Sequence, residues 1–426
     1  MATVTALASN DPFFPQQWGL SGATASINAP EAWCAGTGGV LVADVDTGVD
    51  WKHPDLNGRL VPGARFTSGD GSEDPNHTPA NLGDGVGHGT ATSGLIVANK
   101  DDSVGIAGIA PRSQVMVVKV FDDNGRGYTT DAAAGIRWAA DHGARVINIS
   151  LGADPTGQGI SLTPDTAIVN AIQYAASKHV AVAASAGNNQ VQVPVSQYQQ
   201  IASVALVVGA LGPQAEASWY TSTGVGVNIY APGGDDPNDS GSAAINIVTP
   251  FKGEQWVAWQ GTSFAAPHVA GTLALLMSRG MSAEAARLQI LNTAVTRNGL
   301  PDLDAAAALG TSGGCAGAPP TTNSSGGHQP GAAPSTGSHA TTGPTHAPAQ
   351  AASTSAASPT PSVTASASPS AAVSPSDSPS VSAVPGAGGS PPSPAPRGIP
   401  VPLLATGVLG IGVVGFAALK VLPLLR

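Results

Sequence analysis

Residues 39–50 read GVLVADVDTGVD. Gly39–Asp46 is rich in Val, nearly apolar, and closes on the turn signal Asp46-Thr47-Gly48. A run this short and apolar suits a strand buried on both faces, as in a parallel sheet covered by helices. The pattern recurs, so strands are expected at Gly39–Asp46, Gln114–Phe121, Arg145–Leu151, His179–Ala186, Ala202–Gly209 and Val225–Ala231. Helices are expected at Gly89–Ala98, Thr129–His142, Pro164–Lys178, Ser263–Arg279 and Ser282–Asn292, with Thr163 and Ser282 as N-caps. Alternation of this kind predicts an α/β domain with a mainly parallel central sheet.

Composition bounds that domain at residues 1–310. Thr311–Gly398 holds no Phe, Trp or Tyr, and its only charges are Asp377 and Arg397. Such a chain cannot bury enough apolar surface to offset the entropy of ordering it. Residues 311–398 are therefore expected to form a disordered linker, reaching about 50 Å as a coil or roughly 270 Å in extended polyproline form. Leu403–Leu419 carries no charge, and Val401 extends the apolar run to a length that can cross a bilayer. A transmembrane helix is expected at residues 399–420, followed by a short tail at 421–426. Lys420 and Arg426 follow the apolar run, which places the tail in the cytoplasm and the large domain outside. Met1–Pro12 has neither a basic nor an apolar signal region. An outward-facing domain would then take its export signal from upstream of this start.

Three of the 17 basic residues and one of the 27 acidic residues lie beyond residue 310, so residues 1–310 carry −12. That sign argues against nucleic acid as a partner and is compatible with cation binding. A monomer is expected. The two cysteines, Cys34 and Cys315, flank the domain. A disulfide between them would staple its ends in an oxidising compartment; two unrelated thiols are the alternative.

In open α/β sheets, functional groups gather beyond the carboxyl ends of the strands. Asp46 closes the first expected strand, Ser150-Leu151-Gly152 the third and Ser185-Ala186-Gly187-Asn188 the fourth. Gly87-His88-Gly89-Thr90 opens one helix and Gly261-Thr262-Ser263 another. Asp, His, Asn and Ser thus share one edge, and acyl transfer needs that set. A serine hydroxyl is a weak nucleophile until a base takes its proton. Histidine does so near neutral pH while a buried carboxylate holds its tautomer. An Asn amide can face the developing oxyanion, and a helix start adds a backbone N–H and the positive end of its dipole. Taken singly, Asp46 reads as a turn, His88 as a helix start, Ser263 as an N-cap and Asn188 as a loop residue. Four coincidences would be needed to keep all four readings. His268 is a rival base, but it lies five residues after Ser263, more than one turn on. Zinc-ligand spacing is absent.

VADVDTGVDWKHPDL (Val42–Leu56), GHGTATSG (Gly87–Gly94), ASAGNN (Ala184–Asn189) and GTSFAAPHVAG (Gly261–Gly271) resemble the motifs of the subtilisin-like serine proteases, peptidase S8, in that family's order. The likeness covers residues 11 to about 300. It implies a three-layer serine endopeptidase acting on polypeptides without a catalytic cofactor. Asp46 would orient His88, His88 would serve as base and then acid, Ser263 would attack, and Asn188 would bind the oxyanion. Ser150, Leu151 and Gly152 would pair with the substrate backbone by strand addition. With Ser185, Ala186 and Gly187 they would line the first specificity pocket. The resemblance also implies structural calcium held by Asp11, Asp55 and Asp102, with carbonyls of Val104 and Ile106.

A membrane-tethered architecture further resembles the secretion-associated mycosins. The rival reading is a catalytically silent, anchored peptide-binding module; its mark would be loss of Asp46, His88 or Ser263, and all three are present. The chain also departs from the family pattern. Ala91-Thr92-Ser93-Gly94 stands where His-Val-Ala-Gly is usual, and Asp44 replaces an apolar residue, reading as a second buried carboxylate with a raised pKa. Ala266 replaces a usual Ser. The ten residues before Asp11 are too few for the inhibitory prosegment of such enzymes, so either it lies outside this sequence or this member folds without one.

Overall fold

The strand that ends on Asp46 forms as β1 (Leu41–Asp46), and its side chains alternate between two faces of a central sheet. The computed structural model describes residues 8–151, 166–190, 200–238, 240–313 and 315. Gly152, the Thr163 cap and the expected linker, membrane-spanning and tail segments beyond residue 315 lie outside them. Among the described residues no helix is long and apolar enough to cross a membrane.

The remaining strands are β2 (Leu60–Arg65), β3 (Gln114–Lys119), β4 (Val146–Ile149), β5 (Ala181–Ser185), β6 (Leu206–Leu211), β7 (Ile229–Pro232), β8 (Ile247–Phe251), β9 (Gln255–Trp259), β10 (Val295–Arg297) and β11 (Leu300–Asp302). Nine of them form one sheet in the order β10-β11-β7-β6-β5-β4-β1-β3-β2. Its pairs are parallel except β10 with β11. The chain leaves β3 and re-enters at β4 on the far side of β1, so the order reverses around β1. Open α/β sheets place their crevice at such a reversal, beyond the carboxyl ends of the strands.

Alternation decides which face each side chain meets. Val42 on β1, Val146 on β4, Ala181 and Ala183 on β5, and Leu206 and Val208 on β6 share one buried cluster with Val269 and Leu273 of the helix Thr262–Ser278. The odd positions Ala43 and Val45 of β1, with Ile147 and Ile149 of β4, join the opposite cluster. There they meet Ile136 of the helix Thr129–Asp141 and Ile168 and Ile172 of the helix Thr166–Ser177. A spacing of two therefore sends Asp44, Asp46, Asn148, Ser150 and Ser185 to the same face as Val42, Val146 and Ala181. That face also carries the helix His88–Val97, which packs on both β1 and the helix Thr262–Ser278.

The strand expected from Val225 begins at Ile229. The strand expected from Ala202 begins at Leu206. Asn228 diverts the chain before it: its amide nitrogen donates to the carbonyls of Ala202 and Ala205, and its oxygen accepts the N–H of Val207. The hairpin β8–β9 was not expected; it turns tightly through Gly253 and Glu254, both at positive φ. Ser282 caps the helix Ala283–Thr293 as expected, accepting the N–H of Ala285. Cys34 and Cys315 are bonded, with Cα atoms 4.9 Å apart across 281 residues of sequence. Of the two readings the staple is the one present, and it restricts the unfolded chain over nearly the whole domain.

Candidate active site

Asp46 closes β1, and its carboxylate is filled from two sides. Oδ1 accepts the Thr47 N–H at 2.7 Å, while His88 Nδ1 lies 2.7 and 2.9 Å from Oδ1 and Oδ2. Both side chains are buried. A carboxylate only accepts, so the pairing places the imidazole proton on Nδ1 and leaves Nε2 as the basic nitrogen.

His88 is the first residue of its helix, and Asp84 fastens that end. Asp84 accepts the N–H groups of Val86 and Gly87 on one oxygen and the N–H and hydroxyl of Thr90 on the other. The Thr47 hydroxyl donates to Asp84 and accepts the Gly89 N–H at 2.8 Å, tying the strand end to the helix start. Gly87 has φ +105°, and a Cβ there would sit 2.0 Å from the Phe251 ring, so no other residue fits. Trp259 meets the imidazole edge-on at 6.3 Å between ring centres, and Phe264 lies at 5.6 Å. Burial by itself would lower the His88 pKa. The charge and hydrogen bond of Asp46, backed by Asp44 and Asp84, overcome this and hold it above its usual value.

Ser263 is the second residue of its helix, in the turn whose N–H groups lack intrahelical acceptors. Its hydroxyl is 3.3 Å from the Ser150 carbonyl, and the Ser150 hydroxyl donates to the Ser263 carbonyl at 2.8 Å. That second bond depends on Pro267. In a regular helix the Ser263 carbonyl would accept the N–H of residue 267, and proline has none. Asn188 accepts the N–H and hydroxyl of Thr262 on Oδ1, at 3.0 and 2.8 Å. This fixes the amide beside the start of the Ser263 helix, with its oxygen turned to Thr262.

The expected pocket walls adjoin these groups with a different use of their side chains. The Ser185 hydroxyl is buried and donates to the Leu151 carbonyl at 2.7 Å, and the Ser150 hydroxyl is spent on Ser263. The hydroxyls of Ser150 and Ser185 thus brace the frame, each donating to a backbone carbonyl. The Gly187 N–H approaches the Thr262 hydroxyl at 3.2 Å, and Ala186 is buried beside it.

Asp44 is buried on the face it shares with Asp46. It accepts Asn148 on Oδ1 at 2.9 Å and the hydroxyls of Thr92 and Ser93 on Oδ2 at 2.8 and 2.7 Å. Two departures noted in the sequence therefore meet in space: the added carboxylate is solvated by the added hydroxyls. Burial, helped by the charge of Asp46, pushes the Asp44 pKa up to about 7, against the pull of its three donors.

Of the residues expected to hold calcium, Asp11, Asp55 and Asp102 do gather around one loop. Asp11 accepts the N–H groups of Asp101, Asp102 and Ser103. Asp55 takes Ile106 N–H and the Trp256 indole on Oδ2, while its buried Oδ1 accepts no hydrogen bond among the described residues. Burial pushes Asp55 up to about 7, and the charges of Asp102 and Asp11 add to this. Asp102 receives the Val104 N–H. Among the described residues no three His, Cys, Asp or Glu side chains form a ready metal cluster.

The other histidines do different work. His268 is buried, bonds the Phe264 carbonyl through Nδ1 at 2.8 Å, and is pushed down to about 4 by burial, so it stays neutral inside the helix. His53 is buried between the Asp55 N–H and the Gln255 carbonyl. Thr47, Asp84, Asn148, Thr262 and Pro267 were not singled out from sequence. The readable signal was parity: Asn148 is the polar position of an otherwise apolar strand, on the face of Asp46.

The subtilase family matches residues 37–315. Thermitase of Thermoactinomyces vulgaris is 37% identical over 287 residues, covering 67% of this chain and 91% of that protein. Subtilisin BL of Lederbergia lenta is 34% identical over 267 residues, covering 62% and 85%. Among solved structures, a protease from Pseudoalteromonas arctica aligns with TM-score 0.61 and 26% identity, over 71% of this chain and 98% of that one.

Proposed function

The chain belongs to the subtilase family and is a subtilisin-like serine endopeptidase, and we propose that Asp46, His88, Ser263 and Asn188 carry its chemistry. The buried Asp46–His88 contact at 2.7 Å, on the sheet edge that also holds Ser263, supports this most directly. Ser263 Oγ attacks the carbonyl carbon of the scissile bond and passes its proton to His88 Nε2. Asp46 stabilises the imidazolium without taking the proton. The carbonyl oxygen becomes an oxyanion facing the Asn188 amide and the Ser263 N–H. Collapse returns the proton from Nε2 to the leaving amine and leaves an ester on Ser263, which water cleaves by the same route in reverse. The substrate backbone lies along Ser150, Leu151 and Gly152, with Ser185–Gly187 walling the first pocket. A silent peptide-binding module would not need a buried Asp–His pair, and this pair favours catalysis. Ser263→Ala should lower kcat on an extended peptide at least about 10⁴-fold. Asn188→Ala should lower it about 10²- to 10³-fold with little change in KM. Retained turnover in the first variant, or a pure KM effect in the second, would sink the assignment.

A structural calcium ion is proposed at Asp11, Asp55 and Asp102, completed by the Val104 and Ile106 carbonyls. The donor chemistry suits a hard cation, and the unpartnered Asp55 oxygen, pressed by two further carboxylates, marks where positive charge is lacking. Calcium should raise the melting temperature, EGTA should lower it, and Asp55→Asn should remove the dependence. A melting temperature indifferent to EGTA contradicts the site.

Membrane tethering is proposed from the apolar run Leu403–Leu419. It gives a catalytic head outside the membrane with a cytoplasmic tail, and a mycosin-like part in secretion is the finer reading. The full chain should remain in the membrane fraction after alkaline carbonate washing, and a chain ending at residue 398 should not. Release of both would exclude the anchor.

A further inference from the structure

We infer that Asp44 is a positioning residue for the Asp46–His88 pair, acting on it through the hydroxyl of Thr92. The inference rests on His88 being the base of the reaction. Asp44 and Asp46 stand two apart on β1 and face the same way. The Thr92 hydroxyl lies between them, 2.8 Å from Asp44 Oδ2 and 3.4 Å from Asp46 Oδ2. It also reaches the carbonyls of His88 and Gly89 at 3.2 Å. A hydroxyl has one hydrogen, so the two carboxylates compete for it.

The outcome depends on the charge of Asp44. Ionised, Asp44 only accepts, and it has the donors to do so: Asn148, Thr92 and Ser93. It then draws the Thr92 hydrogen to itself and adds a second negative charge behind the pair, which steadies the His88 imidazolium. Protonated, Asp44 must donate, and the oxygens of Thr92 and Ser93 are within its reach. Thr92 can then turn its own hydrogen toward Asp46. Both changes weaken the hold on the imidazolium. Burial and the Asp46 charge place the Asp44 ionisation at about 7, so both forms are populated near neutral pH.

The surroundings leave this exchange in charge of His88. Asp46 faces the cluster from β1, and Asp84 acts on His88 from the loop before its helix. From β4 comes the neutral Asn148, in register with Asp44. From β3 come Val117 and Lys119; the Lys119 ammonium is turned to the Thr47 carbonyl and Asp123. Asp44, Thr92 and Ser93 stand where the family pattern has apolar side chains. A lone carboxylate there would be costly, which is why the three belong together as one unit.

The test is the pH profile of kcat/KM on a neutral peptide, with His88 followed by NMR titration and Ser263→Ala as control. Asp44→Asn should move the acid limb to lower pH by about half a unit to one unit. It should also narrow that limb to a single ionisation. Should Asp44→Asn fail to fold, the combined variant Asp44→Val, Thr92→Val, Ser93→Ala restores an apolar site and should shift the limb the same way. Profiles that superimpose on the wild type while only the melting temperature moves would make Asp44 purely structural and overturn the inference. A shift to higher pH would overturn it too. Activity surviving in Ser263→Ala would instead overturn the catalytic reading beneath it.

Discussion

An imidazole and a carboxylate buried in contact constrain everything around them. The bond between His88 and Asp46 joins a helix start to a strand end, so both elements must stop at fixed places. The Thr47 hydroxyl bridges to Gly89 and Asp84, and Asp84 collects the N–H groups of the first turn. Gly87 yields its side chain so that Phe251 can close over the turn. Both side chains are buried, which strengthens the interaction between the ring and the charge. The pair owes its position to the sheet: β1 lies where strand order reverses, and such a reversal opens a crevice.

The serine is held by a second device of equal economy. Pro267 withholds an N–H, which frees the Ser263 carbonyl for the hydroxyl of Ser150, while the Ser263 hydroxyl points back to the Ser150 carbonyl. Strand and helix are latched at the proposed nucleophile. Thr262, one position earlier, orients Asn188 through its amide oxygen. Adjacent residues of one helix start thus hold the proposed nucleophile and orient the proposed oxyanion donor, and the glycine before them, at φ +155°, lets the chain enter the helix at that angle.

Most of the sheet could be read because its strands are nearly pure apolar runs. Parity along Gly39–Asp46 is enough to assign Asp46 to a face. The helices were readable from their positions between those runs and, for Ala283–Thr293, from a serine cap. β2 was not readable, since Pro62 and Gly63 interrupt it and shift its register. The hairpin β8–β9 was hidden by a turn that lacks an Asn-Gly or Asp-Gly pair. The site was legible where motifs named residues, and not where one side chain serves another. Asp84 and Thr47 act only through contacts formed by folding, and Asp44 made sense only once Thr92, Ser93 and Asn148 surrounded it. Pairing of the two cysteines likewise needed three-dimensional proximity.

The most direct measurement is covalent labelling of the folded protein with a fluorophosphonate, with the modified residue mapped by mass spectrometry. Label confined to Ser263, lost in Ser263→Ala and strongly slowed in His88→Ala, is the predicted result. Folded protein that takes up no label, or labels elsewhere with Ser263→Ala unaffected, would contradict the assignment of an activated serine at the end of the Asp46–His88 pair.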